Sequence, residues 1–146
     1  MQFGIIIVNV GELVQQVITD ASVRTATQNP VSYSATTKGW YFDLPVSGER
    51  LTGIPGLEDG LFTFATIIPS TSPCDFGGRG FVNTVDFFTG GMLPFPAFDI
   101  NRNGIIGFND GLSAGVEIGF SVGGVTRIRG HLDDVLIYSR ADGALV

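Results

Sequence analysis

Several kinds of chemistry are scarce in this chain, and each scarcity excludes something. Of its 146 residues one is cysteine and one is histidine. Cys74 therefore has no partner for an internal disulfide and forms no cysteine metal site. It reads as a small, semi-buried thiol, with a bond to a cysteine of another chain left open. His131 stands beside Asp133 and Asp134. A general base needs a nucleophile within hydrogen-bond reach, and no Gly-x-Ser-x-Gly elbow, phosphate-binding Gly-Lys loop or zinc spacing supplies one. We read His131 as a turn histidine, and the two aspartates as a solvated turn or a second, poorer cation site. The chain is accordingly expected not to be an enzyme.

Charge is sparse as well. Charged residues are 15% of the chain, with 8 basic against 14 acidic, for a net charge of -6. Without a basic cluster, nucleic acid and anionic membranes are poor partners. The apolar run Phe3 to Val10 is too short to span a bilayer, and Met1-Gln2 offers no positive region for a signal peptide. Either the chain is cytoplasmic or it is a segment of a larger exported protein.

What is present is a glycine-punctuated, aromatic, β-rich sequence. There are 21 glycines and 12 phenylalanines, 44% hydrophobic residues and a mean hydropathy of +0.32. That suits a single domain with a real core over residues 1–146. Short β-branched or aromatic runs separated by turn residues predict an all-β fold: propeller, sandwich or barrel. Expected strands are Gly4 to Val10, Leu13 to Ile18, Val23 to Gln28, Val31 to Ala35, Gly39 to Leu44, Leu61 to Ile68 and Phe81 to Phe88. Parts of Leu112 to Val122, then Val125 to Arg129 and Val135 to Tyr138, complete the set. Ser47 to Leu57 and Pro69 to Gly80 read as loops. Asp59-Gly60 reads as a turn leading into Leu61, and Gly123-Gly124 as a hairpin turn.

One stretch carries a site. Asp99-Ile100-Asn101-Arg102-Asn103-Gly104-Ile105-Ile106-Gly107-Phe108-Asn109-Asp110 follows an EF-hand-type calcium loop. Such a loop needs oxygen ligands at positions one, three and five, a glycine at six, a backbone carbonyl at seven, often a water at nine, and a carboxylate at twelve. Asp99, Asn101, Asn103, Gly104, Ile105, Gly107 and Asp110 fall at those places. Ca²⁺ is a hard ion, so carboxylates and amide carbonyls at alternate positions suit it. Ile106 should turn away from the ion into a core. With two charged side-chain ligands and Asp in place of a bidentate Glu, affinity should be low, matching an extracellular ion at about millimolar concentration. The competing reading is an Asn/Gly-rich turn between strands.

Other residues have two readings each. Trp40 and Tyr41 are either a stacking platform or, as we favour, core aromatics. Glu49 and Arg50 form a local ion pair. Gly77-Gly78-Arg79-Gly80 is a flexible loop without the strand-to-helix context of a phosphate site.

Three blocks in the middle share a resemblance. They are Lys38-Gly39-Trp40-Tyr41-Phe42-Asp43-Leu44-Pro45 with Gly48-Glu49-Arg50, Thr63 to Ser70 with Pro73-Cys74-Asp75-Phe76-Gly77-Gly78, and Asp86-Phe87-Phe88-Thr89-Gly90-Gly91. With Leu13-Val14-Gln15-Gln16 upstream, their order resembles the C-terminal β-propeller domain of the PilY/PilC-type type IV pilus biogenesis adhesins, over roughly Leu13 to Asp110. The resemblance implies a partial propeller, its last blade or blades, or a rearranged antiparallel β domain. It implies an extracellular, pilus-associated module of a larger exported protein that supports pilus assembly and attachment, with calcium as a structural ion. Minor pilin subunits or the rest of the propeller are the implied partners. Blade faces left uncovered imply self-association. An extracellular carbohydrate-active or hydrolytic β domain with a structural calcium is the alternative.

Overall fold

The computed structural model describes residues 8–71, 78–119, 122–129 and 134–140, the last two stretches by their backbone. Cys74, His131 and Asp133, and Gly4 to Ile7 of the first expected strand, lie outside the described residues. Val8 and Val10 are exposed, and Val10 opens a 3-10 turn, Val10–Glu12, not a buried strand.

The architecture is all-β. Its strands are β1 (Leu13–Gln15), β2 (Val23–Arg24), β3 (Gly39–Tyr41), β4 (Arg50–Glu58), β5 (Leu61–Pro69), β6 (Gly78–Asp86), β7 (Gly115–Ile118), β8 (Val122–Arg129) and β9 (Asp134–Arg140). An antiparallel five-stranded sheet runs β2-β7-β6-β5-β4, and β8 and β9 form an antiparallel ribbon lying against β4 and β5. β1 and β3 pair in parallel, a departure from an otherwise antiparallel molecule. Among the described residues the sheets form neither a closed barrel nor repeated four-stranded blades.

The sheet is built outward from one hairpin. Asp59 and Gly60 have φ of 50° and 77°, the paired positive angles that a two-residue hairpin turn requires. This sets Glu58 opposite Leu61 and so fixes which β5 side chains point inward. Phe62 and Phe64 share one face with Val85 of β6. Onto that face fold Trp40 and Phe42. The rings form a closed circuit: Trp40–Phe42 and Phe42–Phe64 at 5.6 Å, Phe62–Phe64 at 5.4 Å and Trp40–Phe62 at 6.2 Å. Each such pair adds about 0.5–1.5 kcal/mol beyond its burial. The Trp40 indole N–H donates to the Phe87 carbonyl at 2.8 Å. The core reading of Trp40 therefore holds. Gly90 is required beside it: its φ is +68°, and a Cβ there would lie 2.1 Å from the indole ring.

Several expectations are corrected. Val31 to Ala35 is not a strand but a turn held by the Ser34 hydroxyl. Most of the expected loop Ser47 to Leu57 is strand β4. Edge position tolerates Pro55, and a bulge between Thr52 and Gly56 absorbs the glycines. Gly78-Arg79-Gly80 opens β6 instead of a flexible loop. Gly123-Gly124 is not a hairpin turn; both lie within β8, where the register shifts between Val122 and Gly124.

Candidate metal centre

Two carboxylate sites emerge from this scaffold. The first is inside the sheet and was not expected. Arg24 of β2, fully buried, meets Glu49 end-on, with Nη1 to Oε1 at 2.7 Å and Nη2 to Oε2 at 2.8 Å. The guanidinium lies 3.4 Å over the Phe81 ring, and the Thr66 hydroxyl also donates to Glu49. Burial raises the Glu49 carboxyl, but hydrogen bonds from Arg24 and Thr66, the Arg24 charge and the Val46 amide outweigh it and hold the group below its ordinary value. The expected Glu49–Arg50 pair is thus replaced. Glu49 turns into the core because Arg24 is there, and the Arg50 Nε–H donates to the Gly48 carbonyl at 3.5 Å. A signal was present: in Val23-Arg24-Thr25-Ala26 strand alternation places Arg24 on the same side as Ala26, which is 8% exposed.

The second site is the loop from Asp99 to Asp110. Its path is set by two left-handed residues, Arg102 at φ 59° and Gly104 at φ 84°. Glycine takes this conformation without strain, whereas Arg102 takes it at a cost of about 1–2 kcal/mol. The bend turns successive amides inward. Asn103 N donates to Asp99 Oδ1 at 3.1 Å and to Asn101 Oδ1 at 3.0 Å, and Gly104 N donates to Asp99 Oδ2 at 2.8 Å. Ile105 N donates to Asn103 Oδ1 at 2.8 Å. A 3-10 turn, Phe108–Asp110, then swings Asp110 back across the loop's mouth. Its Oδ1 accepts from Ile100 N at 2.9 Å and Asn101 N at 3.1 Å, and its Oδ2 from Gly107 N at 2.8 Å. The Gly107 and Asn101 amides outweigh the cost of burial and, with Ile100, hold the Asp110 carboxyl below its ordinary value.

So four of the expected ligand side chains, those of Asp99, Asn101, Asn103 and Asp110, are gathered in one hydrogen-bonded bend. Ile105 sits at its rim with its side chain exposed, and Gly107 is joined to it through Asp110. The expectation for Ile106 fails: its side chain is 52% exposed, beside Ile105 at 69% and Phe108 at 97%. The buried core resumes on either side of the bend, at Phe98 and Ala114, and Ile106 stays at the surface between them.

Whether the bend suits a divalent ion is a matter of lone pairs. A carboxylate offers about four acceptor sites and an amide oxygen two. The backbone bonds above leave acceptor capacity on Asp99, Asn101, Asn103 and Asp110 alike. The donor set is all oxygen, which fits a hard cation. Among the described residues no group of three His, Cys, Asp or Glu is placed to hold a metal ion, so any cation here relies on amide and carbonyl oxygens beside two carboxylates. A groove of about 550 Å³ separates Asp99, Ile100 and Arg102 from Ser22, Val23 and Glu117.

An antiparallel β module with an oxygen-lined, glycine-hinged bend beyond its core is the class these features define. Comparison with known proteins narrows it. The chain is 34% identical over 98 residues to the type IV pilus biogenesis factor PilY1 of Pseudomonas aeruginosa strain PAO1, and equally so to that of strain PAK. The match covers 60% of this chain and 8% of each relative. The PilY1 of strain UCBPP-PA14 is 27% identical over 111 residues, 73% of this chain and 9% of the relative. The chain is thus homologous to PilY1, and spans less than a tenth of the length of these curated relatives. No protein-family model matches it, and no solved structure matches it. Among the described residues no helix is long and apolar enough to cross a membrane.

Proposed function

We propose that this chain is a calcium-stabilised structural and adhesive module of a type IV pilus-associated surface protein, supporting pilus assembly and attachment. The homology to PilY1 supports the pilus role. The single observation that supports the ion is the bend at Asp99–Asp110, in which four oxygen-bearing side chains accept from backbone amides of the same loop and each keeps acceptor capacity. Asp99, Asn101, Asn103 and Asp110 would hold calcium through side-chain oxygens, Ile105 through its carbonyl and Gly107 through a water. The bound cation would neutralise the two carboxylates and lock the bend to the sheet. In this reading the chain is one all-β unit of a longer exported protein, the last part of a propeller. Its partners are the remaining blades or minor pilin subunits, and the exposed apolar residues of β4, Leu51, Ile54 and Leu57, favour association with them or with a second copy.

A chimaera tests this. The chain replaces the matching stretch in full-length PilY1 of a Pseudomonas aeruginosa strain lacking its own copy, and surface pili are counted with calcium present. The expected result is restored piliation, reduced by the double change Asp99→Asn and Asp110→Asn. A stably expressed chimaera that restores no pili contradicts the proposal.

A further inference from the structure

The bend holds a second chemistry that does not require a metal. Asn103 precedes Gly104, while the other asparagines precede Val10, Pro30, Thr84, Arg102 and Asp110. We propose that Asn103 is a self-modification site, at which its side chain cyclises onto the Gly104 nitrogen and then opens to aspartate or isoaspartate.

Three features of the geometry favour that reaction. The Ile105 N–H donates to Asn103 Oδ1 at 2.8 Å. This folds the side chain forward over the Gly104 peptide and sets a donor on the oxygen that becomes negative when the carbonyl carbon is attacked. The Gly104 N–H donates to Asp99 Oδ2 at 2.8 Å, which enriches the attacking nitrogen in electron density. The place a Cβ would occupy on Gly104 has no atom within 4 Å, so no more distant side chain crowds that residue. Both residues are exposed, so solvent reaches them.

The step balances with water as its co-reactant. The Gly104 nitrogen forms a bond to Asn103 Cγ and loses its proton to solvent. The side-chain nitrogen takes a proton and leaves as ammonia, giving a five-membered imide. Water then adds to one of the two imide carbonyls. Opening one C–N bond gives aspartate at position 103, and opening the other gives isoaspartate. One water is consumed and one ammonia released. The consequence for a cation rests on the calcium reading, whereas the modification does not. Aspartate adds a third carboxylate at the fifth loop position and strengthens binding. Isoaspartate adds a methylene to the main chain and spoils the spacing.

Peptide mapping by mass spectrometry over time, in mildly alkaline buffer, tests the modification on the whole chain. The folded protein is compared with the same chain unfolded in guanidinium, and Asn101 in the same region is the internal control. Deamidation at position 103 should be about tenfold faster folded than unfolded, because the fold supplies the orientation and the donor. Equal or slower reaction in the folded chain overturns the proposal. Calorimetry with calcium chloride on the Asn103→Asp variant tests the consequence, with about tenfold tighter binding expected. Binding no tighter than in the unmodified protein overturns that consequence. Rapid modification in a protein that binds no calcium leaves the modification standing and removes the calcium reading.

Discussion

The two carboxylate sites put the same functional group to opposite uses. Glu49 is buried, and its charge is matched by Arg24 within the protein. Asp99 and Asp110 bend around backbone amides, which are dipoles and leave the charge uncancelled. A buried carboxylate met by a guanidinium is finished and holds strands together. Carboxylates met only by amides in a half-exposed bend are still open to a cation. The difference lies in what the surrounding strands contribute. β2 brings Arg24 across Gly115 to Asn83, where a Cβ on Gly115 would lie 2.4 Å from the Asn83 amide oxygen. Among the described residues no strand pairs with the bend, and its own amides hold its carboxylates.

The comparison can be broken most forcefully at Arg24. Arg24→Met leaves Glu49 buried without its partner and should destabilise the fold by about 3–5 kcal/mol, read from denaturant unfolding. A loss below 1 kcal/mol would mean that the pair is not a fastener. Next comes Gly90→Ala, which drives a methyl toward the Trp40 ring at a left-handed backbone position. A loss of about 2–3 kcal/mol is expected from overpacking and backbone strain together.

Acid sharpens the contrast more gently. The Glu49 carboxyl sits below its ordinary value, so the unfolded chain takes up that proton more readily than the folded one. The pair's contribution is therefore complete above the unfolded glutamate value of about 4.3 and is lost as pH falls through the lower folded value. Melting temperature followed on the acid side should drop in that window, and the drop should be smaller in a Glu49→Gln variant. The smallest effect is reserved for the rim of the bend. Phe108, 97% exposed, should tolerate replacement by Ser within about 0.5 kcal/mol, whereas a larger loss would place an unseen core behind the bend.

Much of the frame was legible in residues close to one another. Asp59-Gly60 marked the turn into β5, where both residues take positive φ, although the strand that precedes it was not legible. The alternation in Leu61 to Ile68 fixes the aromatic face. The ligand spacing from Asp99 to Asp110 is local too, and it located the bend. What escaped depended on distance along the chain or on sheet position. Glu49 chose Arg24, 25 residues away, over its neighbour Arg50, a choice set by burial and not by sequence proximity. β4 read as loop because Gly53, Pro55 and Gly56 are poor strand residues, yet an edge strand with a bulge accepts them. Ile106 was assigned inward by the habit of such loops, but here its side chain stays at the surface between the core residues Phe98 and Ala114. Gly123-Gly124 carries a turn signature that the β8–β9 pairing overrides with a register shift.

The account turns on whether those open oxygens take an ion. Calorimetric titration of the chelator-treated protein with calcium chloride asks this directly, beside the Asp99→Asn and Asp110→Asn double variant. The account predicts one saturable site with a dissociation constant of about 0.1–1 mM in the native sequence and none in the variant. A correctly folded native protein that shows no binding, or a variant that binds as well, contradicts it.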